Sequence, residues 1–299
     1  MEIYVHKTEI ELTGVTDFDL GKTFECGQCF RWNKGEEGNG FAGNSEQTES
    51  RSSYLGIAFG RAARLRHCGE SIFITGTIED FESVWRSYFD LDRNYAEIRQ
   101  SLCIDDFMKQ AAVFGEGIRI LRQDKWEALC SFIISQNNNI PRIKSIIDTL
   151  CREFGDVVHF EDQQLFAFPS AERLAALDAL SLVGLRCGYR AEYIINAARK
   201  VADGILDLDT LANSTPETAR FELKKVHGVG DKVADCVMLF GLHMLDSFPL
   251  DVWMKRAVVK HYGPNFNPII FHPYAGIAQQ YIFHYVRNGS PLIESPIVL

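Results

Sequence analysis

The residues best suited to chemistry lie in one stretch, where a glycine-rich turn precedes a lysine. Gly228 and Gly230 are one residue apart, and Lys232 follows two positions later. Glycine adopts positive φ and permits close backbone approach, so the run from Val226 to Gly230 predicts a tight hairpin turn. The free amides of such a turn, at the positive end of the next helix, form an anion site suited to a phosphate.

Lys232 is expected in the first turn of that next helix, with Asp231 as its cap and Val233 and Val237 on its apolar stripe. A cation is disfavoured at a helix N-terminus, and this favours the neutral amine. A neutral amine is a nucleophile, whereas an ammonium ion is not. The alternative interpretation is an ordinary solvated lysine.

A carboxylate follows the next apolar segment. Pro249 interrupts the helical pattern, and Asp251 is expected to cap a new helix over Val252–Tyr262. The amine and the carboxylate would then stand at two successive helix starts.

These features together resemble the helix-hairpin-helix DNA glycosylases. The run Gly-Asp-Lys-Val-Ala-Asp-Cys at 230–236 is similar to the 8-oxoguanine DNA glycosylases within that superfamily. The resemblance implies excision of 8-oxoguanine paired with cytosine and then β-elimination, with Lys232 as the nucleophile and Asp251 as the charge stabiliser. A nucleotide-phosphate loop is the competing interpretation, but the four residues required between Gly and Gly-Lys-Ser/Thr are missing.

The composition indicates a soluble, intracellular, globular protein. The chain has 299 residues, is 46% hydrophobic and 24% charged, and has eight irregularly spaced cysteines that fit a reducing compartment. It contains neither a run of 18 uncharged apolar residues nor a signal-like opening, so no membrane association is expected. A net charge of −9 argues against indiscriminate DNA binding, which Lys224 and Lys225 before the hairpin partly offset. We expect a DNA-associated monomer.

An α+β fold is predicted, with an antiparallel sheet domain over 1–112 and a larger helical domain over 113–299. Short β-type runs occupy Glu2 to Glu11, Tyr54 to Phe59 and Ser71 to Thr77. A helical period begins at Glu79, and after about residue 110 the pattern is helical throughout. The polar stretch from Gly35 to Ser53 predicts a mobile surface loop.

The segment Cys26-Gly27-Gln28-Cys29 invites a redox or zinc hypothesis. It does not open a helix of a βαβ unit, and no second Cys-x-x-Cys exists to complete a zinc site. The run at 27–32 instead resembles the Gly-Gln-Ser-Phe-Arg-Trp stretch of the glycosylases. The resemblance implies that the carbonyl of Gly27 accepts the N7 hydrogen that only the oxidised base carries. One buried polar mismatch costs about 1–3 kcal/mol, so this contact alone discriminates only partly between 8-oxoguanine and guanine.

Three consecutive asparagines begin at Asn137 and by themselves indicate a polar turn before Pro141. The resemblance implies that Asn137 fills the gap left by the extruded base. It also implies that Arg142, Tyr189 and Arg190 contact the estranged cytosine and wedge the neighbouring pair.

The last apolar segment would ordinarily be a core helix. The resemblance assigns Gln279 to the Watson–Crick edge of the base, and Phe283 and Cys236 to its two faces. A flat apolar slot with one amide suits an extruded purine.

Two features depart from related enzymes. Trp253 stands where better-known members have histidine, which affects the contact with the adjacent phosphate. No cysteine follows Cys236, so an iron–sulfur cluster of the endonuclease III type is not expected. No cofactor is required, although hairpins of this kind sometimes hold a structural cation through backbone carbonyls.

Two other functions stay open from the residues alone. A related glycosylase for alkylated purines would act through water and would not need Lys232. A non-enzymatic hairpin DNA-binding protein would need the glycines but not Asp251, Gln279 or Phe283.

Overall fold

The computed structural model describes residues 1–35 and 53–289. An antiparallel six-stranded sheet near the N-terminus precedes a larger helical part, so the α+β prediction is confirmed. The polar stretch predicted as a mobile loop lies, from residue 36 to residue 52, outside the described residues.

The sheet has the spatial order β1-β2-β6-β5-β4-β3. Its strands are β1 (Glu2–Val5), β2 (Glu9–Thr13), β3 (Trp32–Lys34), β4 (Ser53–Ala58), β5 (Arg61–Cys68) and β6 (Ser71–Thr75). The sequence predicted β4 and β6 but not β5, because arginine and alanine dominate β5 and conceal its alternation. Every second residue still points inward, as the fully buried Ala63 and Leu65 show.

Aromatic rings fill the core beneath the sheet. Phe24 of α1 (Leu20–Glu25) stacks on Trp32 with ring centroids 4.4 Å apart. Trp85 and Phe89 stack on each other at 5.8 Å. Trp85 lies in, and Phe89 directly follows, a continuous helical segment made of α2 (Ile78–Asp80), a π-helical turn (Phe81–Trp85) and α3 (Arg86–Tyr88), which the sequence predicted.

The helical part places its apolar stripes around a second core. Its helices are α4 (Tyr95–Leu102), α5 (Asp106–Phe114), α6 (Lys125–Ile134), α7 (Ile140–Phe154), α8 (Ala171–Ala175), α9 (Arg190–Ala202), α10 (Leu208–Ala212), α11 (Pro216–Leu223), α12 (Asp231–Phe240), α13 (Val252–Tyr262) and α14 (Ala275–Asn288), with 3-10 turns at Ala179–Leu185 and Pro268–Phe271. The predicted helix capped by Asp251 has the bounds expected for it.

The prediction that the chain is helical throughout after residue 110 is wrong at one place. A hairpin of β7 (Val157–Phe160) and β8 (Gln163–Phe166) follows α7. Glu161 takes a left-handed φ of 50° in its turn. The carboxylate of Glu161 pairs with Arg64 of β5 at 2.7 Å, which attaches the hairpin to the sheet.

The two cores are not divided at a single position of the sequence. The buried residues of α4, and Met108, Ala111 and Ala112 of α5, precede residue 113 yet pack in the helical core, whereas Leu121 follows it and packs in the sheet core. The division after residue 112 stays a prediction. No helix among the described residues has the length and apolarity needed to cross a bilayer.

Candidate active site

The glycine-rich turn joins α11 to α12 as a helix-hairpin-helix. Gly228 has a φ of +86°, and a Cβ built on it would lie 2.2 Å from the ring of Tyr193. A side chain is therefore excluded by both conformation and contact. Gly230 is exposed and has open space around it, so its backbone is accessible to a ligand.

The expected cap of α12 is wrong. Gly230, not Asp231, occupies the cap position, and a glycine has no side chain with which to bond the amides of the first helical turn. Asp231 is already helical, and its carboxylate pairs with Lys224 at 2.6 Å. Because the first amides of a helix lack partners within the helix, this turn offers its donors and the helix dipole to an anion.

The two lysines before the hairpin contribute less free charge than the sequence suggested. Lys224 pairs with Asp231, and Lys225 pairs with Glu222 at 2.6 Å. The anion site of the turn therefore depends mainly on backbone amides.

Lys232 is half-buried, and its amine has a defined position. Its Nζ donates to Oγ of Ser135 at 3.2 Å and lies 5.4 Å from the centroid of the Phe132 ring. Both partners come from α6 and its C-terminal end. The amine is thus held against α6 and is not extended into solvent.

Asp251 caps α13, since its Oδ1 accepts from the amide of Met254 at 2.7 Å. A negative charge at a helix N-terminus interacts favourably with the helix dipole. The second carboxylate oxygen is not needed for the cap. Asp251 therefore combines a structural bond with a charge that can act on a ligand.

The thiol of Cys236 lies within the electrostatic reach of both functional groups. Burial raises the pKa of Cys236 to about 11, while the charge of Lys232 opposes the shift and that of Asp251 adds to it. The charges of the amine and the carboxylate therefore both act on this thiol. At neutral pH the thiol is uncharged and presents an apolar surface.

Gly27 approaches Phe283 across the boundary between the two parts. Its φ is +85°, and a Cβ there would lie 3.7 Å from Cε1 of Phe283 and 3.5 Å from Cδ1 of Ile140. The guanidinium of Arg287 lies 5.1 Å from the Phe283 ring centroid. A larger residue at position 27 would strain the backbone and crowd the predicted stacking ring.

Two glutamines that sequence reasoning missed hold the Gly27 loop. The buried amide of Gln28 donates to the carbonyl of Arg119 at 2.7 Å and accepts from the amide of Leu121 at 2.9 Å. The side-chain amide of Gln123 donates to the backbone carbonyl of Gln28 at 2.6 Å. The backbone amide of Gln123 donates to the carbonyl of Phe240, the last residue of α12. These bonds connect the loop to the helix that carries Lys232. The only sequence signal was the position of Gln28 beside Gly27.

Gln279 is buried on α14, one helical turn before Phe283. Its Oε1 accepts from Nε2 of Gln280 at 2.8 Å. Gln280 is also buried, and its own Oε1 has no hydrogen-bond partner among the described residues. Gln280 was not predicted as a site residue, although an amide on an otherwise apolar helix was a usable signal.

The asparagine run forms a tight turn braced by the loop before α9. Asn137 has a left-handed φ of 51°, and its Nδ2 donates to the Tyr189 hydroxyl at 3.2 Å. Arg190 is buried, donates to the carbonyls of Gln136 and Cys187, and stacks on Tyr189 at 4.4 Å. The guanidinium predicted to contact a cytosine is therefore occupied by protein carbonyls in this structure.

Two further predicted DNA contacts lie at the surface. Arg142 is exposed, and its Nη2 donates to the carbonyl of Arg186 at 3.2 Å. Trp253 is half-buried in the first turn of α13, two residues after Asp251. Val226, by contrast, is buried, and its carbonyl accepts from the amide of Val229, so its side chain supports the hairpin from inside.

The cysteines of the Cys-x-x-Cys segment do not suit redox chemistry. Cys26 and Cys29 are buried and unpaired. Burial raises the pKa of Cys26 to about 11 and that of Cys29 further still, so neither forms the thiolate that exchange requires. Within residues 1–35 and 53–289, no three His, Cys, Asp or Glu side chains are grouped as metal ligands.

Two open cavities, of about 710 and 410 Å³, lie elsewhere. The larger adjoins α1 and α5, and the smaller lies between β4, α7 and β8; neither is lined by a predicted site residue. The candidate site is therefore defined by the predicted side chains themselves, and not by these cavities.

A half-buried amine, a helix-capping carboxylate, a hairpin before an uncapped helix start and an asparagine turn together fit a DNA glycosylase of the helix-hairpin-helix class. Residues 12–129 match the model of the 8-oxoguanine DNA glycosylase N-terminal domain, and residues 130–268 match that of the HhH-GPD superfamily base excision DNA repair proteins. The chain belongs to the 8-oxoguanine DNA glycosylase/lyase family.

Individual relatives support this assignment. The N-glycosylase/DNA lyase of Saccharomyces cerevisiae is 32% identical over 257 residues, which is 81% of this chain and 68% of that protein. The 8-oxoguanine glycosylase/lyase of Clostridium acetobutylicum, solved with double-stranded DNA containing cytosine opposite 8-oxoG, is 35% identical with a TM-score of 0.87, covering 96% of this chain and 98% of that one. MBOgg1, solved with a low-affinity DNA ligand, is 40% identical with a TM-score of 0.87 and covers the same shares.

Proposed function

We propose that this protein is a bifunctional 8-oxoguanine DNA glycosylase that excises the lesion opposite cytosine and nicks the resulting abasic site. The observation that carries the proposal is the placement of the Lys232 amine. Lys232 lies in the first turn of the helix whose start can hold a phosphate, and its Nζ is held by Oγ of Ser135 at 3.2 Å.

DNA binding is assigned to the hairpin, to the asparagine turn and to the loop before α9. The amides of the first turn of α12 bind a phosphate beside the lesion. Asn137 enters the stack once the base has been extruded. Arg142 and Tyr189 are the exposed groups that contact the opposite strand, and Trp253 offers a ring near the adjacent backbone.

Base recognition is assigned to the slot between the Gly27 loop and α14. The carbonyl of Gly27 accepts the N7 hydrogen of 8-oxoguanine and repels the N7 lone pair of guanine. Gln279 bonds the Watson–Crick edge, which guanine and its oxidised form share. Phe283 and the uncharged thiol of Cys236 cover the two faces of the ring.

The reaction follows from the two groups at the helix starts. Nζ of Lys232 forms a bond to C1′ while the bond from C1′ to the base breaks, and the base leaves with the electron pair. Asp251 stabilises the positive charge that develops at the sugar. As the sugar ring opens, one proton passes from the attached nitrogen to O4′, which leaves a protonated imine. The C2′ proton then passes to solvent, the 3′ phosphate leaves with the electron pair of the C3′–O bond, and the strand is nicked.

No cofactor is required for these steps. A structural cation would have to be held by backbone carbonyls of the turn from Val226 to Gly230. The Val226 carbonyl already accepts from Val229, and the nearby Asp231 carboxylate is paired with Lys224. We place the enzyme on intracellular DNA and expect it to act as a monomer.

Base release tests the function directly. Duplexes carrying 8-oxoguanine opposite cytosine, 8-oxoguanine opposite adenine or an alkylated purine are incubated with the protein, and free bases and nicks are measured by mass spectrometry and gel electrophoresis. We expect release of 8-oxoguanine with a nick, fastest opposite cytosine. Release of the alkylated base without a nick, or retention of DNA without release, would contradict the proposal.

A further inference from the structure

A serine outside the predicted site controls the position of the amine. Ser135 follows the last residue of α6, and its Oγ accepts from Nζ of Lys232 at 3.2 Å. The same Oγ donates its own hydrogen to the carbonyl of Phe132 at 2.8 Å. The hydroxyl therefore has its proton committed and presents a lone pair to the amine.

This bonding pattern fixes what Ser135 can do. A carbonyl cannot take the serine proton, so the hydroxyl cannot pass a proton onward and cannot act as a base. It can only accept an N–H from Lys232. When a neutral amine donates one N–H in a set direction, the direction of its lone pair is restricted as well, and the lone pair forms the bond to C1′.

The backbone of Ser135 is held from both sides. Its amide donates to the carbonyl of Ser131 at 2.9 Å, and its carbonyl accepts from the amide of Asn138 at 3.3 Å. Asn138 belongs to the asparagine turn whose preceding carbonyl, that of Gln136, is held by Arg190. The hydroxyl that orients the amine therefore shares one short turn with the residue expected to fill the base stack.

We propose that Ser135 is a positioning residue for Lys232 in imine formation and strand cleavage. The inference rests on the proposed function. On an abasic site, Nζ adds to the sugar aldehyde, one proton is taken up from solvent, and water leaves, so that the protonated imine retains one N–H. The Ser135 oxygen accepts this N–H and holds the imine while the C2′ proton passes to solvent and the 3′ phosphate leaves with the electron pair of the C3′–O bond.

The experiment uses a duplex with a preformed abasic site, so that base recognition plays no part. Imine formation is measured by borohydride trapping in single turnover, and cleavage is measured without borohydride. We expect Ser135→Ala to slow trapping and cleavage at least about tenfold, since one oriented bond to the amine is lost. Affinity for a duplex containing a tetrahydrofuran site should stay within about twofold.

Rescue and control variants separate positioning from general destabilisation. Ser135→Thr keeps the hydroxyl and should retain most of the trapping rate. Ser145→Ala alters an exposed serine on α7 and should behave as wild type. If Ser135→Ala does not fold, Ser135→Cys keeps the size with a weaker acceptor and should show the same loss.

The outcomes are distinguishable from failure of the proposed function. If wild type forms no adduct on the abasic duplex, the lyase function itself is wrong. If wild type traps and a folded Ser135→Ala traps equally fast, only the role of Ser135 is overturned. Equal loss in Ser135→Thr and Ser135→Ala would also overturn it, because the hydroxyl would then not matter.

Discussion

At the scale of single residues, some polar atoms of the site form bonds within the protein, and other atoms of the same side chains remain available to the substrate. Asp251 illustrates both, since one oxygen caps α13 and the other is not needed by the helix. The Lys232 amine is similarly anchored by Ser135, and Gln279 by Gln280. Each functional side chain thus enters the reaction with its orientation already restricted, which reduces the entropy lost on binding.

Asp251→Asn tests whether the capping role and the charge-stabilising role of Asp251 are separable. Asparagine can still accept from the Met254 amide, so the helix and lesion binding should persist. The negative charge is lost, so excision should slow by at least about 10²-fold. Single-turnover release and binding to a noncleavable lesion analogue are compared. A collapse of binding together with the rate would mean that Asp251 acts mainly as a cap.

Gln280→Met tests whether the buried amide pair serves base recognition. Without the Gln280 donor, the Gln279 amide is free to rotate, so kcat/KM for 8-oxoguanine should fall by roughly tenfold. Cleavage of a preformed abasic site should be unchanged, since no base is read there. Equal losses on both substrates would show that Gln280 supports only the packing of α14.

At the scale of elements, the two segments that we propose to face the opposite strand have different roles. Arg142 is exposed at the start of α7, whereas Arg190 is buried and holds the carbonyl of Gln136. The first can exchange its bond to Arg186 for a bond to a base. The second donates to the carbonyl that precedes Asn137 and so supports that turn.

A comparison of Arg142→Ala with Arg190→Ala distinguishes contact with the opposite base from support of the asparagine turn. Arg142→Ala should reduce the preference for cytosine opposite the lesion. Arg190→Ala should lower excision by a similar factor opposite all four bases, because it weakens the turn and not a base contact. Excision rates against the four opposite bases provide the measurement. A loss of excision in Arg190→Ala that occurs only opposite cytosine would mean that Arg190 contacts the estranged cytosine, as the sequence predicted.

Local signals explain which elements were predictable. The turn at Gly228 and the helix capped by Asp251 depend on residues adjacent in sequence, so their patterns predicted them. Strand β5 and the β7–β8 hairpin were missed because polar residues mask their alternation, and tertiary contacts such as Arg64 with Glu161 hold them. Ser135 and Gln123 gave no signal, because their roles arise only when distant segments meet.

At the scale of the whole molecule, the sheet side and the helical side meet through a buried ion pair. Arg31, beside β3, lies 3.6 Å from Glu127 of α6, and both side chains are largely buried. Burial raises the pKa of Glu127 to about 7, against the opposing charge of Arg31. Around neutral pH, a fraction of the folded molecules therefore holds a proton that the unfolded chain has released.

This coupling predicts a pH dependence of stability. Between the ordinary pKa of 4.5 and about 7, the folded state binds more protons at Glu127 than the unfolded state. The free energy of unfolding should therefore fall as pH rises through that range, by on the order of 1–3 kcal/mol. Glu127→Gln should lack this component, which urea titrations of both proteins at pH 5 and pH 8 would measure. An identical pH dependence in the two would contradict the assignment.

The central claim is that the amine of Lys232 becomes covalently bound to the sugar. Borohydride is added to the wild-type protein with a duplex carrying 8-oxoguanine opposite cytosine, and Lys232→Gln and the control Lys225→Gln are treated alike. We predict a covalent adduct for wild type and Lys225→Gln, mapped by mass spectrometry to the peptide containing residue 232, and none for Lys232→Gln. An adduct that persists in Lys232→Gln, or base release by wild type with no adduct, would contradict the account.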